Sequence, residues 1–317
     1  MKKLLLIPII VGGAVLITGS IIFGLALANQ NKTELADQTF EINETITNFD
    51  FNLSTADLLF KESDSAKVVC RDSEKEYHEV TIKDGTLKIN YVDTREWYEK
   101  IFNWSTEQRK VTVYVPAGEY GDLNIKSSTG NITVPHDFSF TNLKADVDTG
   151  NYAIKSNVTN TIDLESSTGA VFLDDLSAKE IKIKCSTGRV GLTKVNVLEK
   201  ITISSSTGDQ KVTDTKCQNI EIKASTGDIV FTNTIVEKHI QVKTSTGMVT
   251  FYDSDAESLD IKTDTGDVTG NLLTNKFFKA KSDTGKIDVP EYHLGDEVTG
   301  ECVVETDTGD IKLRVGA

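Results

Sequence analysis

Four Asp-Thr-Gly tripeptides contain the residues with the clearest catalytic potential in this sequence. Aspartic proteases use two such Asp residues, which share one proton between them. Here six further tripeptides have Ser in place of Asp, so the pattern favours an architectural corner over a catalytic dyad. The four residues are Asp148, Asp264, Asp283 and Asp307.

A lysine lies four residues before the glycine in four successive tripeptides. Equivalent side chains of stacked β-coils lie about 4.8 Å apart, so these lysines would form one basic column on an outer face. We interpret the column as a solvated face that is neutralised by acids such as Glu221, Asp260 and Asp283. The alternative is an anion-binding stripe for wall polymers or lipid head groups. The candidate binding residues are therefore Lys223, Lys243, Lys262 and Lys281.

Acidic residues bracket several of the glycines, for example Asp264 with Asp267. Calcium takes about 6–8 oxygen ligands, and calcium binding at these corners is an alternative to a purely structural role. The Gly-Asp nonapeptide of calcium-loaded β-rolls is absent, and the four histidines lack metal-ligand spacing. The four cysteines form no CxxC pair, so we interpret them as small buried side chains. The sequence predicts no metal site, no cofactor and no catalytic residue.

The tripeptides recur with a regular period. Ten Ser/Asp-Thr-Gly units occur, and their glycines are 19 or 20 residues apart until the last interval, which is 24. A coil of parallel β-structure needs such a period, whereas a helix does not. Glycine permits the positive φ of a tight corner, so we predict ten structural turn residues. They are Gly130, Gly150, Gly169, Gly188, Gly208, Gly227, Gly247, Gly266, Gly285 and Gly309.

Apolar side chains keep fixed positions around these glycines. Positions seven and five residues before the glycine, and two and four after it, are apolar in 38 of 40 cases. The position four before it is never apolar. This alternation predicts strand, corner and strand with one buried face. The predicted fold is an all-β, single-domain β-solenoid, a parallel β-helix-like coil with 19–20 residues per rung. By parity, the Thr of each tripeptide is expected near the inner wall.

The N-terminus has the pattern of a membrane anchor. Residues 4–28 contain no charged side chain and follow Lys2 and Lys3. A helix of this length crosses a bilayer core of about 30 Å, and the positive-inside rule places the rest of the chain outside. We predict a cytoplasmic N-terminus (1–3), a transmembrane signal-anchor (4–28) and a polar tether (29–39). A cleaved signal peptide is the alternative, because Ala26-Leu27-Ala28 resembles a cleavage site.

The rest of the chain divides into a cap and a repeat region. Residues 40–116 contain alternating runs without the tripeptide and are predicted to form N-terminal β-coils that cap the solenoid. Residues 117–317 form the repeat solenoid, with a loop at 290–300 and a closing strand at 311–315. An aromatic cluster is expected to cover the open end as a lid rather than to form an exposed contact site. It consists of Trp97, Tyr98, Ile101, Phe102 and Trp104.

The sequence resembles a known family, the bacterial "putative adhesin" domains, which are cell-envelope domains of unknown function. The resemblance covers most of residues 40–317. It depends on the segments 46–57, 84–89 and 97–103 and on the Ser/Asp-Thr-Gly units. It implies a membrane-anchored extracytoplasmic solenoid, which is sometimes linked to envelope-stress systems, and it implies no catalytic motif.

These observations favour a structural, adhesin-like or binding role at the cell envelope over enzymatic activity. The net charge of −14 argues against nucleic acid as a partner. The expected partners are the membrane, through the N-terminal helix, and an envelope polymer or another envelope protein. The alternative is a polysaccharide-active β-helix enzyme of the cell wall. Such an enzyme needs clustered acids and aromatic sugar platforms, whereas the outward columns here contain mainly Lys, Ser, Thr and Asp. A sensor accessory of an envelope-stress pathway is a third option.

Overall fold

A computed structural model describes residues 34–102 and 108–316 of the chain. In this part the regular structure is a single 24-stranded sheet and one short helix, α1 (Trp97–Phe102). The predicted all-β, single-domain solenoid is confirmed. The strands are β1 (Ala36–Glu41), β2 (Asn48–Asn52), β3 (Ala56–Glu62), β4 (Lys67–Asp72), β5 (Glu76–Lys83), β6 (Thr86–Asp93), β7 (Arg109–Val115), β8 (Gly118–Thr129), β9 (Ile132–Val134), β10 (Phe138–Thr149), β11 (Tyr152–Ile154), β12 (Asn157–Thr168), β13 (Val171–Thr187), β14 (Val190–Thr207), β15 (Gln210–Thr213), β16 (Lys216–Thr226), β17 (Ile229–Thr232), β18 (Ile235–Thr246), β19 (Val249–Thr265), β20 (Val268–Leu272), β21 (Phe277–Thr284), β22 (Ile287–Asp288), β23 (Glu301–Thr308) and β24 (Ile311–Val315).

Each rung of the solenoid has three straight segments, and each segment pairs in parallel with its equivalents in the rungs above and below. The segment before the glycine pairs Ile201 with Ile220, and the segment after it pairs Gln210 with Ile229. The third segment pairs Lys216 with Ile235. The repeat period of 19 or 20 residues therefore corresponds to one turn of the solenoid, from one rung to the next.

Two kinds of corner shape a rung. At the tripeptide corner Gly208 has a φ of 131°, and a Cβ atom there would lie 1.9 Å from the carbonyl oxygen of Gly188. Only glycine fits this approach of two backbones. A second corner, six residues later, uses left-handed residues other than glycine, with φ between 47° and 53° in five successive rungs. These are Asp175, Lys194, Asp214, Asn233 and Asp253.

The apolar columns form the interior as predicted. Ile201, Ile203 and Val212, which surround Gly208, are fully buried. Phe231 and Phe251 occupy one column in adjacent rungs, and their rings stack with centroids 5.0 Å apart. Burial of each such side chain contributes about 1.5–3 kcal/mol. The core therefore runs as one continuous cluster through the stack.

The threonines of the tripeptides do not face the inner wall, so this expectation is wrong. All ten are exposed, as is the Ser or Asp before each of them. The strict alternation of a strand stops at the corner, because two consecutive residues point outward before the glycine turns the chain. Parity counted from the strand therefore gives the wrong side for the last residue.

At the N-terminal end the first rung is not the outermost one. Strand β2 lies between β6 and β8, and β3 lies between β7 and β9. Strands β5 and β4 then cover β6 and β7 in antiparallel pairings, and β1 pairs with β4. Leu87, Ile89 and Val113 of the outer rung are consequently fully buried. This end of the core is closed by residues within the segment 40–116 that was expected to cap it.

The C-terminal end has a similar reversal. Strand β23 lies between β19 and β21, and β24 lies between β20 and β22. The last rung of the sequence is thus inserted below the one that precedes it, and β21 and β22 are outermost. The apolar columns of this outer rung are open, since Phe278 and Ala280 are only partly buried and Ile287 is 47% exposed.

The predicted transmembrane segment 4–28 lies outside the described residues, as does the N-terminus 1–3. Strand β1 begins at Ala36, within the segment 29–39 that was expected to be a tether. Among the described residues no helix has the length and apolar character needed to cross a bilayer.

Candidate functional site

The lysine column is shorter than predicted. Lys223, Lys243 and Lys262 follow one another in register on three adjacent rungs. Lys281 is not the next member, because Glu305 pairs with Lys262 on one side and with Lys281 on the other. The inserted last rung thus places an acid between the third and fourth lysines. The basic column consists of the first three, and we call it the lysine column.

Acidic neighbours compensate most of these lysines. Lys223 contacts Glu221 at 2.6 Å, Lys262 contacts Glu305 at 3.6 Å, and Lys281 contacts Asp283 at 3.1 Å. Among the described residues, no carboxylate lies within 4 Å of the Lys243 ammonium group. Hydrogen bonds from Lys200 and Lys223 lower the pKa of Glu221 to about 2, so its negative charge persists across the neutral range.

A shallow depression of about 350 Å³ lies at the edge of the lysine column. It is lined by Lys184, Lys223, Cys185, Ala224 and five serines. The Ser205 hydroxyl is buried and has no hydrogen-bond partner among the described residues. This lining can donate hydrogen bonds to an anionic group, and it lacks a base that could activate a nucleophile. The serines are Ser186, Ser204, Ser205, Ser206 and Ser225.

The Asp and Asn residues that follow the glycines have a structural use. Asp209 Oδ1 accepts a hydrogen bond from the backbone N–H of Asp228 at 3.2 Å, and Asp228 in turn accepts one from Met248 at 2.9 Å. Asp267 and Asp310 form the same contact at 2.8 Å. One carboxylate oxygen at each of these corners therefore bonds to the next rung. This ladder gives Asp209, Asp228 and Asp267 a structural role, and Asp264 is not part of it.

A polar cluster that sequence analysis did not identify is buried in the N-terminal cap. Asp72 Oδ1 lies 2.8 Å from His78 Nδ1, and Asp72 Oδ2 accepts the backbone N–H of His78 at 2.7 Å. His78 Nε2 lies 3.1 Å from the carbonyl oxygen of Leu53. Both nitrogens of the imidazole thus face acceptors, so the His78–Asp72 pair needs two protons to satisfy them. These contacts hold the imidazole ring in one orientation between Asp72 and Leu53.

Cys70 completes this cluster without forming a catalytic triad. Cys70 Sγ, a carboxylate oxygen of Asp72 and a ring nitrogen of His78 lie within 4.8 Å of one another, a donor set that zinc accepts. However, both His78 nitrogens are already engaged, so ligation would break existing hydrogen bonds. Burial raises the pKa of the Cys70 thiol to about 12, which keeps it protonated and unreactive. The cluster is satisfied as a structural tie between β4, β5 and the β2–β3 connection.

A second buried network joins the β5–β6 hairpin to β7. The Glu76 carboxylate accepts a hydrogen bond from the Tyr91 hydroxyl at 2.6 Å and contacts Arg109 at 2.7 Å and Arg95 at 2.9 Å. Two guanidinium groups therefore compensate one buried carboxylate. Burial, together with this hydrogen bond, raises the pKa of Tyr91 well above its ordinary value. The network ties the hairpin to β7, and the Glu76 carboxylate within it is fully engaged.

The expected aromatic lid is wrong for the two members that the structure describes fully. Trp97 is 71% exposed and Tyr98 is 50% exposed, both on α1, and their rings meet edge to face at 5.9 Å. Trp97 and Tyr98 therefore do not cover the end of the apolar core. The side chains of Ile101, Phe102 and Trp104 lie outside the description. The cap is closed by β4 and β5 instead.

The chain is similar to several solved structures. It resembles a putative lipid binding protein from Parabacteroides distasonis with 14% identity and a TM-score of 0.49, covering 88% of this chain and 97% of that one. A putative adhesin from Parabacteroides merdae has 13% identity and a TM-score of 0.48, covering 86% and 96%. A putative adhesin from Bacteroides fragilis has 12% identity and a TM-score of 0.42, covering 88% and 97%.

No curated protein matches the sequence. A family profile does match it, over residues 46–232 and again over 189–316, so the two matches together span residues 46–316, which contain all ten tripeptides. The expected relationship to a family of domains of unknown function is thus shown. The chain belongs to the family described as Toastrack DUF4097.

Proposed function

We propose that this protein is a membrane-anchored, extracytoplasmic binding protein of the cell envelope, and that it acts without catalysis. Its solenoid would hold an extended anionic partner, such as a wall polymer, against the lysine column and the adjoining serine-lined depression. The observation that carries this proposal is the in-register stacking of Lys223, Lys243 and Lys262 on three adjacent rungs.

The spacing of the lysines suits an extended partner. Neighbouring rungs are about 4.8 Å apart, so the three ammonium groups span about 10 Å along the rod. Lys243 lies in the middle and has no carboxylate within 4 Å among the described residues. Lys223 and Lys262 each form an ion pair that solvent reaches, and such a pair contributes about 0–1 kcal/mol to stability. An incoming polyanion can therefore replace Glu305 at Lys262 at little cost.

The membrane part of the proposal depends on the sequence of residues 1–28. An uncharged stretch preceded by two lysines would retain the solenoid at the outer surface of the membrane. A link to envelope stress is compatible with this position. The overall charge of −14 makes a non-specific polyanion contact unfavourable, so binding would be confined to the local basic column.

Binding of a purified anionic wall polymer by the full chain tests the proposal. Replacement of Lys223, Lys243 and Lys262 by Glu is expected to weaken binding at low salt at least tenfold. The matched control replaces the exposed lysines Lys211, Lys238 and Lys312 by Glu and should change binding much less. Equal losses in both triple variants would refute a localised site. Hydrolysis of the polymer or of wall glycan by the wild-type chain would refute the non-catalytic role.

A further inference from the structure

The apolar core is covered at one end of the solenoid and open at the other. At the N-terminal end, Leu87, Ile89 and Val113 of the outer rung are fully buried under β4 and β5. At the C-terminal end, the equivalent columns in β21 and β22 are open, with Phe278 half-buried and Ile287 47% exposed. Stacked repeats need a covering layer at each end, because an open core and an open strand edge are both costly in water.

Exposed apolar side chains concentrate at this open end. Among the described residues, 13 large hydrophobic side chains are exposed, and six of them lie between positions 273 and 298, in the outer rung and the connections beside it. Leu294 is 99% exposed, and the rings of Phe277 and Tyr292 meet at 5.8 Å on the surface. The six are Leu273, Phe277, Ile287, Tyr292, Leu294 and Val298.

The outer edge of β21 offers free backbone groups. The N–H of Phe277 donates to Gly300 at 2.8 Å, which directs residue 277 towards the rung below. Backbone groups alternate in direction along a strand, so those of Phe278, Ala280 and Ser282 point away from the solenoid. Strand β21 pairs with β23 alone among the described strands. A strand from another molecule can therefore add to this edge.

We propose that a second copy of this chain occupies this edge, with the two β21 strands antiparallel across a two-fold axis. The charges of β21 select this partner, because they are self-complementary in one register. With Ser282 on the axis, Lys281 of each copy lies opposite Asp283 of the other and can exchange the exposed ion pair within its own chain for one between the copies, and no like charges are opposed. A shift that centres Ala280 would instead place Lys279 opposite Lys281, which is unfavourable.

Such a contact has the form of a closed, isologous dimer. It would bring residues 280–284 of the two β21 strands side by side across the axis and cover part of the open end of each core. Strand β1 lies at the far end of each solenoid, so the two β1 strands lie at opposite ends of the dimer. The dimer is independent of the lysine column, since Lys223 and Lys243 lie on rungs away from this end.

Charge reversal on each side of the proposed pair gives a test that a folding defect cannot imitate. In Lys281→Glu, the introduced carboxylate would meet Asp283 of the second copy, and in Asp283→Lys, the introduced ammonium group would meet Lys281. Each variant alone is expected to be monomeric. Mixed in equal amounts, the two variants are expected to form a heterodimer, because the carboxylate introduced at position 281 of one chain then faces the ammonium group introduced at position 283 of the other.

The measurement is the molar mass of the full chain in detergent micelles by light scattering, over a range of micromolar concentrations. The wild-type chain is expected to be a dimer at the upper end of this range, as is the control Lys211→Glu, which changes the same charge on an exposed residue of the central rungs. Thermal unfolding of each variant verifies the fold. A wild-type chain that stays monomeric, single variants that dimerise like it, or a mixture that stays monomeric would each overturn the proposal.

Discussion

Lys262 stacks against Glu305 rather than against Lys281, although Lys281 is the next lysine of the repeat in the sequence. This relationship follows from the insertion of β23 and β24 below β21 and β22. It divides the predicted row of four lysines into a column of three and a separate lysine at the open end. The order of rungs in space, and not only their period, therefore determines which charges act together.

The tripeptide glycines are predicted to be the least replaceable surface residues of the chain. Gly208→Ala would place a Cβ atom 1.9 Å from the Gly188 carbonyl oxygen at a left-handed φ, and we expect a loss of about 2–4 kcal/mol in the free energy of unfolding. The measurement is urea-induced unfolding. The control is Gly191→Ala in the same rungs, whose Cβ would contact only the exposed Phe172 ring. Equal stability of the two variants would contradict the corner geometry.

The buried His78 is predicted to stabilise the cap. His78→Ala removes the side chain that hydrogen-bonds to the buried Asp72 and to the Leu53 carbonyl oxygen, so we expect a loss of about 1–3 kcal/mol in the free energy of unfolding. The exposed His293 serves as the comparison, and its replacement by Ala should change stability by less than about 0.5 kcal/mol. If both variants unfold at the same urea concentration, the buried hydrogen bonds of His78 do not stabilise the cap as expected here.

Acidification is predicted to weaken the tie between the rungs of Lys200, Glu221 and Lys223. The pKa of Glu221 is about 2 in the folded chain, against an ordinary value of 4.5 for a glutamate without these contacts. A lowered carboxyl pKa stabilises the fold above pH 4.5, and this contribution is lost as the pH falls from 4.5 towards 2. Glu221→Gln should therefore differ in stability from wild type above pH 4.5 and converge with it below.

An NMR titration of the Glu221 carboxyl group measures this pKa directly. A midpoint near the ordinary value of 4.5 would show that the two lysines do not hold the carboxylate in solution. Added salt should raise the midpoint, because screening weakens ion pairs that solvent reaches.

The four cysteines are predicted to resist thiol reagents in the folded state, to different degrees. Burial raises the pKa of Cys70, Cys217 and Cys302 to about 12 in each case, so little thiolate is present at a mildly alkaline pH. Cys185 lines the serine depression and should react first. Timed labelling with a thiol-reactive dye, followed by mass spectrometry, gives the order. Faster labelling of any of the other three cysteines would contradict this placement.

Much of the fold could be predicted because each repeat of the sequence corresponds to one rung of the solenoid. Gly208 marks the corner, and the columns of Ile201 and Ile203 mark the buried face. Both features recur with the same period and depend only on local sequence. The exposed threonines could not be placed correctly, because counting alternate residues fails where a strand bends into its corner. The second corner, with Asp214 or Asn233 in left-handed conformation, was missed because its residue type varies from rung to rung.

The order of the rungs in space could not be predicted from local sequence. The rungs that end at Gly285 and Gly309 carry the same tripeptide, Asp-Thr-Gly. The tripeptide therefore does not indicate which of the two lies next to the rung of Gly266. The cluster of Asp72 and His78 arises only when two strands pack inside the cap. The lysine column was identified residue by residue, but its length depended on the position of Glu305.

Disulfide trapping between rungs tests the central claim, the in-register winding of the chain with its last rung inserted. In a chain whose native cysteines are replaced by alanine, the pair Lys262→Cys and Glu305→Cys is predicted to oxidise readily, because adjacent rungs hold equivalent Cα atoms about 4.8 Å apart. The pair Lys262→Cys and Lys281→Cys, two rungs apart, should remain reduced. Efficient trapping of the second pair and not the first would show that the rungs follow sequence order, and would contradict this account.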